Sequence, residues 1–467
     1  MRITQALGLA GPQAARKTTA AIVIGGAAMA LFVAMLGLGV SMPVVFVGSV
    51  LAAIAAATVI YPEVGLAALV INALVGLTHL RELPTLGPVS IPIAFELILA
   101  AAVAVQVALG RRRLLLNTPQ HVLLLILTFW IVVSLLISGN VGEENVDEIR
   151  NVYLARALLF FLLTSIISGE RALKRLVAVF AVANFGLVVA SVSARLGYLG
   201  QEKIYVGEKM LRTQGLVHNP NTLAFDLTTM LILAVFSLLY VKRRWAKGLL
   251  LLLALADAAV ILSTLSRSGF ISLVAVLLFM FFKLTRSARV IIVVLIVALT
   301  LGLLSQSNLM KRFQRVDEIR DVDRFRLAKV GLNAAAQNPF FGVGIGNFLR
   351  EFDKYNDVGV KRKLPTHNMY MYLSAQMGIP ALLMYLSIVA ITWVGLARME
   401  AALKDRGGGG GSFLFLFNLA VQSFFVNLCV FGLSGDVAFE YSVFIMIGMG
   451  ILLHRAHQET RPAEPAR

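Results

Sequence analysis

Uncharged apolar runs of about 18 residues or more recur along this 467-residue chain. A run of that length crosses the hydrocarbon of a bilayer as a helix, because only a helix satisfies its own backbone there. With 58% of residues hydrophobic and 14% charged, no soluble core could hide so many runs. They are continuous rather than short and alternating, which argues against a transmembrane barrel. The fold expected is an all-α polytopic membrane protein. Candidate spans fall at about 19–40, 43–60, 62–78, 90–109, 120–138, 152–168, 174–197, 220–240, 249–265, 268–283, 289–305, 369–395, 412–433 and 440–454. Several are short, and a re-entrant hairpin could replace a pair, so about 12 to 14 transmembrane helices are expected.

The formal net charge of +17 invites a nucleic-acid partner. Its distribution says otherwise: the basic residues gather in short loops between spans, as the positive-inside rule requires. Arg111 to Arg113, Arg171 with Lys174 and Arg175, Lys242 to Arg244 with Lys247, Lys283 with Arg286 and Arg289, Arg398 to Arg406, and His454 with Arg455 all fall on one side. The opposite side carries Glu143, Glu144, Asp147 and Glu148. Both termini are therefore expected in the cytoplasm, and residues 198–219 and 306–367 outside. Arg2, Arg16 and Lys17 precede the first run, which reads as an uncleaved first helix. The single cysteine, Cys429, lies in a span, so no internal disulfide forms. Gly407 to Gly411 reads as a flexible linker. The chain divides into spans over 1–305, an outward lid over 306–367, and spans with a tail over 368–467, with no internal repeat and no separate soluble domain.

The lid is the one long polar interruption. Asp321 to Asn338 is expected to be helical, with Phe325, Leu332 and Ala335 on one stripe and Asn338-Pro339 ending it. Phe340 and Phe341 are expected at the interface or against the spans, and Gly342, Gly344 and Gly346 in a tight turn.

Polar residues near the outer side are the candidates for chemistry. His367 follows Pro365 and Thr366 at the start of a span, with Thr366 as the expected N-cap. In a first helical turn the helix dipole would favour its neutral, proton-accepting form; the alternative is an interfacial histidine that holds a helix end. Arg267, in Ser266-Arg267-Ser268-Gly269, either faces a polar cavity or snorkels from a short outer turn. Arg212 runs into His218-Asn219-Pro220-Asn221, where helix amides plus a guanidinium suit an anion, or simply cap a helix. Arg324, on the lid helix, either faces the site or pairs with Asp321 or Asp323. Arg156, Arg195, Glu96, Asp226 and Asp257 are weaker candidates and could partner one another. The run from Gly342 to Phe348 lacks the Lys-Ser/Thr of a phosphate loop. Asp321 and Asp323 suggest a metal pair, yet Arg324 and Arg326 beside them repel a cation. Three arginines and one histidine at an outer face suit a substrate with a lipid tail and a diphosphate head.

In order, Arg212 with Gly215 and Asn219-Pro220-Asn221, Ser266 to Gly269, an arginine-led helix, Asn338 to Phe348, and His367-Asn368 with Tyr370 and Gly378-Ile379-Pro380 resemble the O-antigen ligase and polymerase superfamily. The resemblance covers about residues 205–385. Ala328 and Gln376 depart from its usual aromatic and glutamate. It implies a membrane-embedded, GT-C-type glycosyltransferase of a Gram-negative inner membrane, facing the periplasm. No metal and no cofactor would be needed. The donor would be an undecaprenyl-diphosphate-linked glycan, the acceptor a sugar hydroxyl of the lipid A core, and the product lipopolysaccharide. The superfamily's essential histidine maps onto His367 and its arginines onto Arg267 and Arg324, then Arg212. His218, Asn219, Asn221, Asn368, Tyr370, Arg156 and Arg195 would line the substrate site. A polymerase, a protein O-oligosaccharyltransferase and a transporter are the alternatives; the short loop 198–219 favours the ligase.

Overall fold

The computed structural model describes residues 42–76, 91–114, 116–198, 204–206, 210–217, 219–305, 318–405 and 411–460. The expected span at 19–40, His218 and all but the last residue of the Gly407–Gly411 stretch lie outside the described residues, as do the side chains of Asp321 and Asp323. The chain forms two compact units. The first holds α1 (Met42–Ile60), α2 (Pro62–Val75, its C-terminal end crossing into the second) and α3 (Ile91–Ala108). Arg112 binds Glu63 within it, and Glu96 is buried there.

The second unit contains α4 (Pro119–Ser138), α5 (Glu143–Ile166), α6 (Gly169–Leu196), α7 (Pro220–Tyr240), α8 (Arg244–Ser263), α9 (Arg267–Lys283) and α10 (Arg286–Ser305). The lid helix α11 (Glu318–Gln337) follows, then α12 (Met369–Asp405), α13 (Phe413–Gly432) and α14 (Tyr441–Glu459). Proline at the first helical position starts α4 and α7, where its missing N–H costs nothing. Left-handed Gly139 and Gly197 end α4 and α6. A short antiparallel hairpin, β1 (Ile204–Val206) with β2 (Met210–Arg212), lies between α6 and α7. Among the described residues, every expected span from residue 43 onward is built on a helix. Among the described residues seven helices (α4, α5, α6, α7, α8, α12 and α13) are long and apolar enough to cross a membrane; α1 to α3 supply shorter apolar stretches.

α7 is the central helix, with 94% of its apolar window buried against 33% for α4. α13 lies against it: Phe225 meets Phe424 and Phe431, and the Asn427 amide donates to the Phe225 carbonyl at 3.1 Å. Such interhelical polar contacts replace the hydrophobic drive that lipid does not supply.

Of the expected stripe the lid helix buries Ala335 but not Phe325 or Leu332. Leu327, Val330 and Ala334 face inward, while Phe325 is 87% and Leu332 54% exposed. Positions 327, 330 and 334 keep the i, i+3, i+7 spacing of a single helical face; 325 and 332 fall off it. This face forms a small core with Val343, Phe348, Phe352, Tyr355, Val360 and Ala375, the last contributed by α12.

α12 is broken where the lid meets it. Gly378 is left-handed at φ 83° and Pro380 follows, so the helix loses its regular ladder. The glycine turn of the lid, with φ of 64°, 84° and 81° at Gly342, Gly344 and Gly346, fits into the break. The Val343 N–H donates to the Ala375 carbonyl at 2.9 Å and the Ile379 N–H to the Pro339 carbonyl at 2.8 Å. The Gly346 N–H donates to the Gln376 side chain at 2.6 Å. From α4, Trp130 donates to the Met377 carbonyl at 2.9 Å and stacks on Phe341 with centroids 5.0 Å apart. Neighbours thus satisfy the groups that the break releases, as membrane depth demands.

Candidate active site

His367 occupies a turn, not a helical turn. Asn368 caps α12, its side-chain oxygen accepting from the Tyr370 and Met371 N–H groups at 3.0 Å each. The expected cap, Thr366, is directed elsewhere. His367 stands before the helix with φ 49°, a left-handed backbone that is uncommon for a non-glycine residue. The expected helix-dipole argument therefore does not apply to its ring.

What holds this backbone is Asp436, in the turn between α13 and α14. Its carboxylate accepts from Thr366 Oγ1 at 3.0 Å, the His367 N–H at 3.1 Å and the Asn368 N–H at 2.8 Å. Asp436 was absent from the sequence-derived candidates; its only signal is a lone acidic residue after Ser434-Gly435 at the end of a span. Burial holds the His367 imidazole below its ordinary value; the Asp436 charge opposes this and the nearby Arg324 adds to it. Burial pushes the Asp436 carboxyl up, against His367 and the three donors. The result is a half-buried imidazole, neutral at pH 7 and beside a guanidinium. Asp436→Asn keeps the size of the side chain but turns an N–H2 toward a donor. It is expected to cost about 1–3 kcal/mol, read as a lower melting temperature in detergent with α12 content unchanged. An unchanged melt would mean that the carboxylate does not hold the turn.

A second cluster forms at the starts of α7 and α9. Arg212, ending β2, donates through Nε to the Thr264 carbonyl at 2.8 Å and through a terminal nitrogen to Asn221 Oδ1 at 3.0 Å. The same oxygen accepts from Ser266 Oγ at 2.9 Å, and Ser266 caps α9 by accepting from the Gly269 N–H at 3.2 Å. Arg267 is the first residue of α9. A Cβ at Gly269 would lie 2.5 Å from the Ala224 side chain, so glycine is what lets α9 start against α7. Arg195 joins from α6, donating to Thr213 Oγ1 at 2.9 Å, while Ser263 Oγ donates to the same oxygen at 2.8 Å. Asn219 caps α7 by accepting from the Asn221 N–H at 2.9 Å.

The structure thus gathers Arg195, Arg212, Asn219 and Asn221 into one bonded network, with Arg267 following Ser266 at the start of α9, and brings the Arg324 charge near His367. α9 and α12, which carry Arg267 and His367 at their starts, both pack on α13. Asn368 also donates to the Leu433 carbonyl at 3.0 Å, and the Tyr370 hydroxyl to the Cys429 carbonyl at 3.1 Å. The mutual pairing expected of the weaker candidates is corrected. Arg156 lies 4.2 Å over the Tyr441 ring, beside the buried Glu440. Asp226 accepts from Ser442 at 2.8 Å and Asp257 from Asn184 at 2.9 Å. Each acid finds a small polar partner on a neighbouring helix because that helix, rather than an arginine, packs at its depth.

The apolar helices define an all-α polytopic membrane protein, with polar clusters at the starts of α7, α9 and α12. Residues 249–386 match the family model described as O-antigen ligase. The matched stretch runs from α8 to just past the break in α12; it holds Arg267, Arg324 and His367 and leaves out Arg212 and Asp436. The function this supports is membrane glycosyl transfer of the O-antigen ligase and polymerase type. No curated protein matches the chain.

Proposed function

We propose that the protein is an O-antigen ligase. It takes a glycan from undecaprenyl diphosphate and joins it to a sugar hydroxyl of the lipid A core, at the periplasmic face of a Gram-negative inner membrane. The observation that carries the reading is the turn at His367: its main chain is held by Asp436, and its half-buried imidazole lies near the Arg324 charge just before α12. His367 takes the proton of the acceptor hydroxyl as its oxygen bonds to the anomeric carbon. The bond from that carbon to the diphosphate oxygen breaks, and the diphosphate leaves with the electron pair. Arg267, Arg324 and Arg212 hold its charge, so the step needs no metal and no cofactor. Attack opposite the leaving group inverts the anomeric centre. Asn219, Asn221, Asn368, Tyr370, Arg156 and Arg195 shape the surrounding site, and the described part of the lid, residues 318–367, borders it.

A deletion strain tests the assignment. It is expected to show bare core on a lipopolysaccharide gel while polymer accumulates on undecaprenyl diphosphate. A single repeat unit attached to core would instead identify a polymerase. Purified protein should transfer donor to core in the presence of a chelator, and loss of transfer with chelator would refute the metal-free step. Arg267→Gln is expected to lower kcat on the order of 10²–10³-fold, with Arg267→Lys between it and the native protein; a native kcat in both would remove Arg267 from the diphosphate.

A further inference from the structure

A basic cleft in the second unit lies far from His367. It has a volume of about 790 Å3 and opens between the ends of α7, α9 and α12 and the starts of α8, α10 and α13. His367 precedes the first residue of α12, and Lys404 lies near its last; 37 helical residues at about 1.5 Å each separate the two ends, so they occupy opposite membrane faces. Lys247, Lys283, Arg289 and Lys404 line the cleft, with the exposed hydroxyls of Thr285 and Ser287 at its mouth. Among the described residues no acidic one lines it.

The charge is arranged, not merely accumulated. Glu400, with its side chain 6% exposed, anchors two of the cations: Lys283 at 2.8 Å and Lys404 at 2.6 Å. Gln422 donates to the same carboxylate at 2.9 Å, so the anchor is fixed from α13. Lys247 and Arg289 make no ion pair among the described residues. Arg289 is oriented by its Nε bond to the Leu284 carbonyl at 3.1 Å and by the Phe281 ring, 5.1 Å away. Four cations thus stand against one carboxylate. The remaining wall is apolar: Phe282, Ile291, Phe415 and Leu416, with Phe282 74% exposed on the lipid side.

We propose that this cleft binds one anionic glycerophospholipid of the leaflet opposite His367. Its phosphate would sit among Lys247, Arg289 and the hydroxyls, and its acyl chains along Phe282 and Ile291. A phosphate diester suits ammonium and guanidinium donors that lack an acceptor to compete with it. The apolar wall distinguishes a lipid from a free anion, which would leave that surface bare.

The test uses the full-length protein, extracted from nanodiscs of phosphatidylcholine containing phosphatidylglycerol, and native mass spectrometry of the lipid retained. One phosphatidylglycerol is expected to be retained at least about tenfold over phosphatidylcholine, and inorganic phosphate should not displace it. The double variant Lys247→Gln with Arg289→Gln is expected to lose the preference, and Lys247→Arg with Arg289→Lys to keep it. Equal retention of the two lipids, displacement by phosphate, or an undiminished preference in the neutral variant would each overturn the proposal. Should the neutral variant not fold, the lipid comparison and the phosphate competition on the native protein still decide.

Discussion

His367→Ala is expected to give a folded membrane protein that transfers no measurable glycan. Removing a positioned base costs about 10²–10⁴-fold in such reactions, and here the loss falls on the bond-forming step. Folding should survive, because the main-chain N–H of residue 367 remains to donate to Asp436 and Asn368 still caps α12. The left-handed backbone at 367 is no easier for alanine than for histidine, so a small drop in melting temperature should accompany the loss. The native pH profile carries the same signature. Burial lowers the imidazole pKa, so the ring stays neutral at pH 7 and protonates only on acidification below the usual value near 6.5. Transfer should therefore be flat through neutral pH and decline on the acid side, and that limb should vanish in His367→Ala. Native kcat in the alanine variant, or an acid limb that persists in its residual activity, would remove His367 as the base.

Gly378→Ala is expected to be the most damaging added methyl among the described glycines. A Cβ there would lie 1.9 Å from the Phe340 carbonyl oxygen, and φ is 83°. The clash is with backbone, which cannot swing away as a side chain does. The cost is on the order of 4 kcal/mol or more, and it should separate the lid from α12. The measurements are thermal melting and the rate at which trypsin cleaves between 340 and 366. Gly395→Ala on the same helix is the control, since a Cβ there meets nothing within 4 Å. It should be neutral or slightly stabilising through helix propensity, by about 0.5–1 kcal/mol. Equal melts for the two variants would mean that the latch does not contribute.

Much of the helical order was legible because apolar runs long enough for a bilayer admit one secondary structure. The Ser266 to Gly269 and Asn219 to Asn221 motifs were legible as helix starts, and the structure adds that one oxygen of Asn221 ties them together. Asp436 was not legible, because its role depends on a turn 69 residues away along the chain. The choice of cap between Thr366 and Asn368 was not legible either: both suit the position, and the carboxylate that captures Thr366 decides it. On the lid, Phe325 and Leu332 look like core by size alone, but α12 arrives on the face that carries Leu327, Val330 and Ala334.

The seating of the lid on broken α12 also bears on how the protein is made. Residues 318–366 emerge from synthesis before the helix that completes their core, since Ala375, Gln376 and Gly378 all follow them. Until α12 is made, the face of Leu327, Val330 and Ala334 has only the lid's own Val343, Phe348, Phe352, Tyr355 and Val360 to pack on and lacks Ala375. Asp436, which fixes His367, comes later still, after α13. The turn at His367 can thus be completed only late in synthesis, and a chain arrested before residue 436 carries Arg212, Arg267 and Arg324 yet lacks the carboxylate that holds His367.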